Sequence, residues 1–330
     1  MKQYIIALLL LAFSLPGIAA NKHPYDYYRI GNPSDTSTAT QSGTVLMGGG
    51  TDVDAAFQWM CTLSGNGDFL VIRAAGTDAY NSYIQQLCPN GNSVATLIIP
   101  TIEAANHDSV ITIVNEAEAI WIAGGDQSDY VNYWKGTQLQ ETLNQRILQG
   151  VPIGGTSAGL DVLTQFIYSA LENKGVTTSQ ALANPFSKYI TLDRDLVMLP
   201  FLDGIIGDSH TVTRDRMGRD IAFLCRIYDS GWSDQPRGIL VDEETALLID
   251  ANGVIEVIGY SNAYFLQAPG APEVCESGVP LTYEKINVYR IHASAGSFNL
   301  NHWKGSGGSA YQISVKAGIL TSSQNNSSPY

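Results

Sequence analysis

Val151-Pro152-Ile153-Gly154-Gly155-Thr156-Ser157-Ala158-Gly159 sets a short apolar run against a turn in which a serine stands among glycines. Residues 155–159 fit G-x-S-x-G, the nucleophile elbow, where a strand turns sharply into a helix and the serine hydroxyl projects from the strained tip. Small neighbours keep that hydroxyl accessible. The Ala158 amide, at the start of the helix, is free to hold a negative oxygen. Such an elbow needs a sheet to carry it, so the flanking segments decide the fold.

Upstream, apolar runs at 44–47, 69–73, 94–99, 119–123 and 151–153 read as strands, and 53–63, 80–87, 108–116 and 130–148 as helices. Strands that alternate with helices need crossover connections, and these produce a parallel sheet. The runs are continuous rather than alternating in polarity, as expected of strands covered on both faces. From Gly238 the character changes: 239–241, 246–250, 254–259, 286–293 and 312–315 are short strands split by Gly, Pro and Asn turns. The expectation is an α/β body with a β-rich C-terminal portion, about 255–330, inside a single domain spanning 43–330. Residues 21–42 are polar and read as a surface arm outside the core, with order beginning after them.

Residues 1–20 have the layout of a secretory signal peptide: Lys2, an apolar run of about a dozen residues, then Pro16-Gly17-Ile18-Ala19-Ala20. The run falls short of the ~20 residues that span a bilayer, and no later stretch is long and apolar enough. The mature chain is therefore expected outside the cytoplasm, secreted or periplasmic, without a membrane span. Cys61, Cys88, Cys225 and Cys275 all lie beyond the signal, an even number that favours disulfides in an exported protein. Local closure favours 61 with 88 and 225 with 275. With 18 Lys and Arg against 31 Asp and Glu, the net charge is -13, which leaves no basic face for a nucleic acid.

Glycine turns also follow strands at Gly48-Gly49-Gly50 and Gly124-Gly125, where a doubly wound sheet opens its crevice. Neither G-x-G-x-x-G spacing nor a G-K-[ST] sequence is present, so neither a dinucleotide nor a nucleoside triphosphate is indicated and no cofactor is expected. No His, Asp, Glu and Cys set has ligand spacing, so no metal is expected. Of the five histidines, His23 lies in the arm, His107 follows a loop, and His292 and His302 lie in the late β portion. His210 differs: it follows a strand within Asp208-Ser209-His210, and Arg214, Arg216 and Arg219 come four, six and nine residues later. In a chain this poor in cations, the cluster points to carboxylate binding beside a candidate base.

The segments Gly124-Gly125-Asp126-Gln127, Gly155-Thr156-Ser157-Ala158-Gly159, Asp208-Ser209-His210 with its three arginines, and Gly238-Ile239-Leu240-Val241-Asp242-Glu243 occur in one order over most of the chain. Together they resemble the serine peptidase family of cyanophycinases and aspartyl dipeptidases. The resemblance implies a flavodoxin-like, doubly wound, mostly parallel sheet. It also implies hydrolysis of cyanophycin, a polyaspartate with arginine on each side chain, to β-aspartyl-arginine, or of a related β-aspartyl peptide. It makes Ser157 the nucleophile, His210 the general base and Glu243 the orienting acid, with the amides of Gly125 and Ala158 as oxyanion hole. Gln127, Asp208, Ser209, Arg214, Arg216 and Arg219 match substrate-binding positions. Two positions depart from the family pattern: Ser209 replaces a glutamine and Asp126 an asparagine. From the residues alone Glu172, Asp193, Asp195 and Glu244 remain alternatives to Glu243, and the oligomeric state stays open between monomer and homodimer.

Overall fold

The structure is a computed structural model and describes residues 23–172 and 174–330. The signal sequence expected at 1–20 lies outside the described residues. The first half runs β1 (Asp26–Gly31), β2 (Thr44–Met47), α1 (Asp54–Leu63), β3 (Asp68–Arg73), α2 (Ala79–Leu87), β4 (Ser93–Ile98), α3 (Ile102–Ala105), α4 (Asp108–Asn115), β5 (Ala119–Ile122), α5 (Gln127–Trp134), α6 (Gln138–Leu148), β6 (Ile153–Thr156) and α7 (Ala158–Asp161). Strands β4, β3, β5, β6 and β2 pair in parallel in that order. The first four follow the 2-1-3-4 arrangement of flavodoxin-like sheets. Alternate side chains enter different cores. Val45, Met47, Val71 and Trp121 meet Phe57 and Met60 of α1. Leu46, Leu70, Ile72 and Ile120 meet Val110 of α4 and Leu143 of α6. Apolar residues on both faces explain why these strands read as continuous runs.

The second half continues β7 (Phe166–Tyr168), α8 (Thr178–Ala183), β8 (Leu192–Arg194), β9 (Ile205–Asp208), α9 (Met217–Asp229), β10 (Arg237–Val241), β11 (Thr245–Ile249), β12 (Val254–Gly259), β13 (Asn262–Gln267), β14 (Tyr283–His292), β15 (Ser297–Asn299), β16 (Lys304–Ser306), β17 (Ser309–Lys316) and β18 (Ile319–Ser322). Here the expected β-rich C-terminal portion adds antiparallel pairing to the parallel body. Strands β11, β12, β15 and β16 extend the first sheet antiparallel, and a second sheet runs β18-β17-β14-β13-β10-β9-β7-β8. Within it only the β7–β9 and β9–β10 neighbours are parallel. Short connections between late strands allow only hairpin pairing, because a parallel return needs a long crossover. One face of the second sheet, through Ile239, Val241 and Phe265, joins the core of the first, and the other packs on Ile221 and Leu224 of α9.

Two local expectations change. Order begins within the polar arm: residues 26–31 form an edge strand antiparallel to β4, tied down by Arg29 Nη2 to Asp68 Oδ1 at 2.9 Å. The single helix expected at 130–148 is two, because Lys135 is extended and Gly136 takes φ +73° between them. Cys61 pairs with Cys88 and Cys225 with Cys275, with Cα atoms 6.1 Å apart in each pair. Among the described residues no helix is long and apolar enough to cross a membrane.

Candidate active site

β6, a central strand, ends at Thr156 and the chain reverses at Ser157, which takes φ 54° and ψ -122° before α7 begins. A serine is held in this sparsely populated region only because its surroundings fix it. Its N–H donates to Met47 O at 3.0 Å, and its carbonyl accepts from Asp161 N at 3.0 Å. Gly159 lets α7 press against the sheet, since a Cβ there would collide with the Ile122 carbonyl.

His210 comes from the turn after β9, with φ 49° and its N–H donating to Gly48 O at 2.8 Å. Its Nε2 lies 2.8 Å from Ser157 Oγ, and its Nδ1 lies 2.5 Å from Glu243 Oε1. An ionised carboxylate can only accept, so Nδ1 carries the proton and Nε2 is left to accept from the serine hydroxyl. Burial pushes the His210 imidazole below its usual range, against the Glu243 hydrogen bond and with help from the Arg214 and Arg216 charges. The His210 hydrogen bond holds the Glu243 carboxyl below the ordinary range. At neutral pH the set is a hydroxyl, a neutral imidazole and a carboxylate, able to take the serine proton as an oxygen attacks.

Of the four other acids that the residues left open, Glu172 is exposed and three are engaged elsewhere. Glu244 faces Thr51 Oγ1 at 3.4 Å, Asp193 pairs with Lys135, and Asp195 lies 3.4 Å from Arg194.

A crevice of about 320 Å³ opens over Ser157, His210, Gly124 and Gly125. Of the residues matched to substrate binding, only Arg214 lines it. Arg214 is exposed and has no ion-pair or hydrogen-bond partner among the described residues. Asp208, Ser209 and Arg219 are buried, so their assignment to the substrate pocket is revised. Arg219 grips Asp208 with Nε to Oδ2 at 2.7 Å and Nη2 to Oδ1 at 2.6 Å, and stacks its guanidinium 4.9 Å from the Tyr168 ring centroid. Arg216 Nη1 reaches Asp208 Oδ1 at 2.8 Å and Ser209 O at 2.9 Å. Burial raises the Asp208 carboxyl, but Arg219 and Arg216 overcome it and hold it at about 2. Both guanidinium groups are thus committed to Asp208 behind the His210 turn and have little left to offer a ligand. Gln127 is half-buried at the start of α5, outside the crevice lining. Asp126, at the departing position, caps α5 by accepting from Ser128 N at 2.9 Å.

Three crevice residues escaped the sequence reading: Asp52, Arg73 and Tyr80. Each had a signal. Asp52 follows the Gly48-Gly49-Gly50 turn, Arg73 ends β3 and Tyr80 opens the next helix, all at the carboxyl ends of parallel strands where such sheets bind ligands. No glycine pair marks the end of β3. Among the described residues no group of three or more His, Cys, Asp or Glu is placed to hold a metal ion.

The α/β fold and the elbow define a serine-type peptidase. Residues 45–257 match the model of peptidase family S51, and the chain belongs to that family. It is 31% identical over 150 residues to a cyanophycinase from Geminocystis herdmanii, covering 44% of this chain and 48% of that protein. It is 26% identical over 168 residues to a cyanophycinase from Synechococcus elongatus, covering 50% and 47%. The matched stretch thus spans about half the length of these curated relatives. In fold the chain is similar to the crystal structure of a peptidase from an acI-B1 Actinobacterium, with a TM-score of 0.53 and 15% identity over 79% of this chain and 98% of that one.

Proposed function

We propose that the protein is an exported serine exopeptidase that hydrolyses cyanophycin to β-aspartyl-arginine dipeptides. The observation that carries this reading is the unbroken chain from Ser157 Oγ through the His210 ring to Glu243 Oε1, at 2.8 and 2.5 Å, on the floor of an open crevice.

Ser157 Oγ attacks the scissile carbonyl carbon as His210 Nε2 takes its proton, and Glu243 stabilises the imidazolium. The carbonyl oxygen becomes an oxyanion, held by the amides of Gly125 and Ala158. Collapse breaks the C–N bond, and His210 returns its proton to the leaving amine. A water then gives its proton to His210 and attacks the ester, and Ser157 recovers its hydrogen as the acid product leaves. Arg214, beside the reacting serine and free of partners, is suited to grip a carboxylate of the terminal unit.

The relatives' name supports the substrate. The signal-like sequence at 1–20 and the two cysteine pairs support export to an oxidising compartment. Product analysis after incubation with purified cyanophycin tests the reading. β-Aspartyl-arginine should accumulate with the native protein and not with Ser157→Ala; release by that variant, or no release by either, rejects it.

A further inference from the structure

The crevice holds charges that the triad does not use. Asp52 sits half-buried with the Tyr80 hydroxyl beside it, and Arg73 lines the same space. Carbonyls fix the Arg73 guanidinium, Ala75 O at 2.5 Å from Nε and Thr77 O at 3.1 Å from Nη1. Yet Asp52 and Arg73 do not pair with each other, and neither has an ion-pair partner among the described residues. Opposite charges that line one crevice without pairing are each open to a ligand, and a ligand that carries both signs can pair with both. Position narrows the choice. β3 lies two strands from β6 in the order β3-β5-β6, so Arg73 stands about 10 Å from the strand that delivers Ser157. A group bound there belongs to a branch of the substrate rather than to the bond being cut.

We propose that Asp52, with Tyr80, receives the guanidinium of the β-linked arginine branch while Arg73 grips the α-carboxylate of that branch. The proposal rests on the peptidase reading above and names the residues that set its side-chain preference. A guanidinium offers a planar pair of N–H donors to Asp52, and the carboxylate matches the Arg73 fork. A branch without either charge leaves one partner of each pair unmatched.

The test uses short aspartyl peptides whose β-linked branch is either arginine or citrulline, the uncharged isostere, each with the branch carboxylate free or amidated. The native protein should prefer arginine, and Asp52→Asn should cut the arginine-to-citrulline ratio of kcat/KM about 10- to 100-fold. Arg73→Gln should cut the ratio of free to amidated branch by a similar factor. Tyr80→Phe should lower the arginine preference in part. Labelling of Ser157 by a fluorophosphonate shows that each variant keeps a folded site. Ratios that stay at the native value in labelled variants overturn the proposal. A native protein that cleaves none of the peptides overturns the peptidase reading itself, and the subsite with it.

Discussion

Gly49, at φ +92°, lies against the imidazole of His210 so closely that a Cβ would overlap the ring. The glycine turn after β2 is therefore a seat for the His210 ring, and the backbone of Gly48 adds the hydrogen bond that fixes the His210 main chain. Gly49→Ala combines an unfavourable backbone conformation with a displaced ring. Misplacing a catalytic group by about 1 Å costs on the order of 100-fold, while the backbone term costs about 1 kcal/mol. The expected outcome is a kcat/KM lower by at least that factor with only a modest fall in Tm. Full activity would show that the ring finds its place without the glycine.

The acid of the set should separate cleanly from its neighbour. Glu243→Gln keeps the size but lets the amide favour the wrong imidazole tautomer, and the expected loss in kcat is on the order of 10² to 10⁴. The lower end applies if water reaches the side chain, which is 28% exposed. Glu244→Gln, one residue on and turned toward Thr51, should retain kcat. Steady-state kinetics on the two variants decides between them.

The pH profile carries the sign of the His210 environment. In the proposed mechanism His210 must be neutral to accept the serine proton, and burial, with Arg214 and Arg216 adding to it, holds the imidazole below its usual range. kcat/KM should therefore rise with pH through an apparent pKa lower than that of an ordinary imidazole and then reach a plateau. Arg214→Gln removes one of the opposing charges, so the acid limb should move to higher pH, by less in high salt because Arg214 is exposed. An acid limb that stays in place would mean that a group other than His210 governs it.

The elements whose local pattern agrees with their final environment were readable in the chain. The elbow at 155–159, the flanking parallel strands and the alternation with helices all follow from short-range chemistry, and Ser157, His210 and Glu243 do meet. What escaped depends on contacts far apart in sequence. Arg219 and Asp208 look like ligand-binding charges until the fold turns them toward each other. The antiparallel second sheet was hidden because runs such as Asn262–Gln267 are too short to reveal which sheet they join. The edge strand at 26–31 is half-exposed, so its polar composition read as loop although β4 supplies its hydrogen bonds.

Arg219 and Asp208 should behave as structure. Both are buried, with two short hydrogen bonds between them, and removing one partner leaves an uncompensated charge. Breaking such a pair costs about 3–5 kcal/mol. Arg219→Leu should therefore lower Tm by roughly 10 °C, and the folded fraction at low temperature should bind substrate with nearly native KM. A raised KM at unchanged Tm would return Arg219 to the ligand.

Asp161, on the helix that follows Ser157, is buried in the same cluster with Oδ1 unpartnered. Burial, with the Asp208 charge adding and Arg216 and Arg219 opposing, pushes its carboxyl up to about 7. In the unfolded chain an aspartate ionises near pH ~4. Between those values the folded state holds a proton that the unfolded state has lost, so the contribution of Asp161 to stability is complete below about pH 4 and declines as pH rises toward 7. Asp161→Asn keeps the shape and cannot ionise. Melting curves from pH 4 to 8.5 should show wild type and variant nearly level at the acid end. The variant should gain across the window and then stay ahead by on the order of 5 °C. An offset that is the same at every pH would assign the effect to packing rather than to the buried proton.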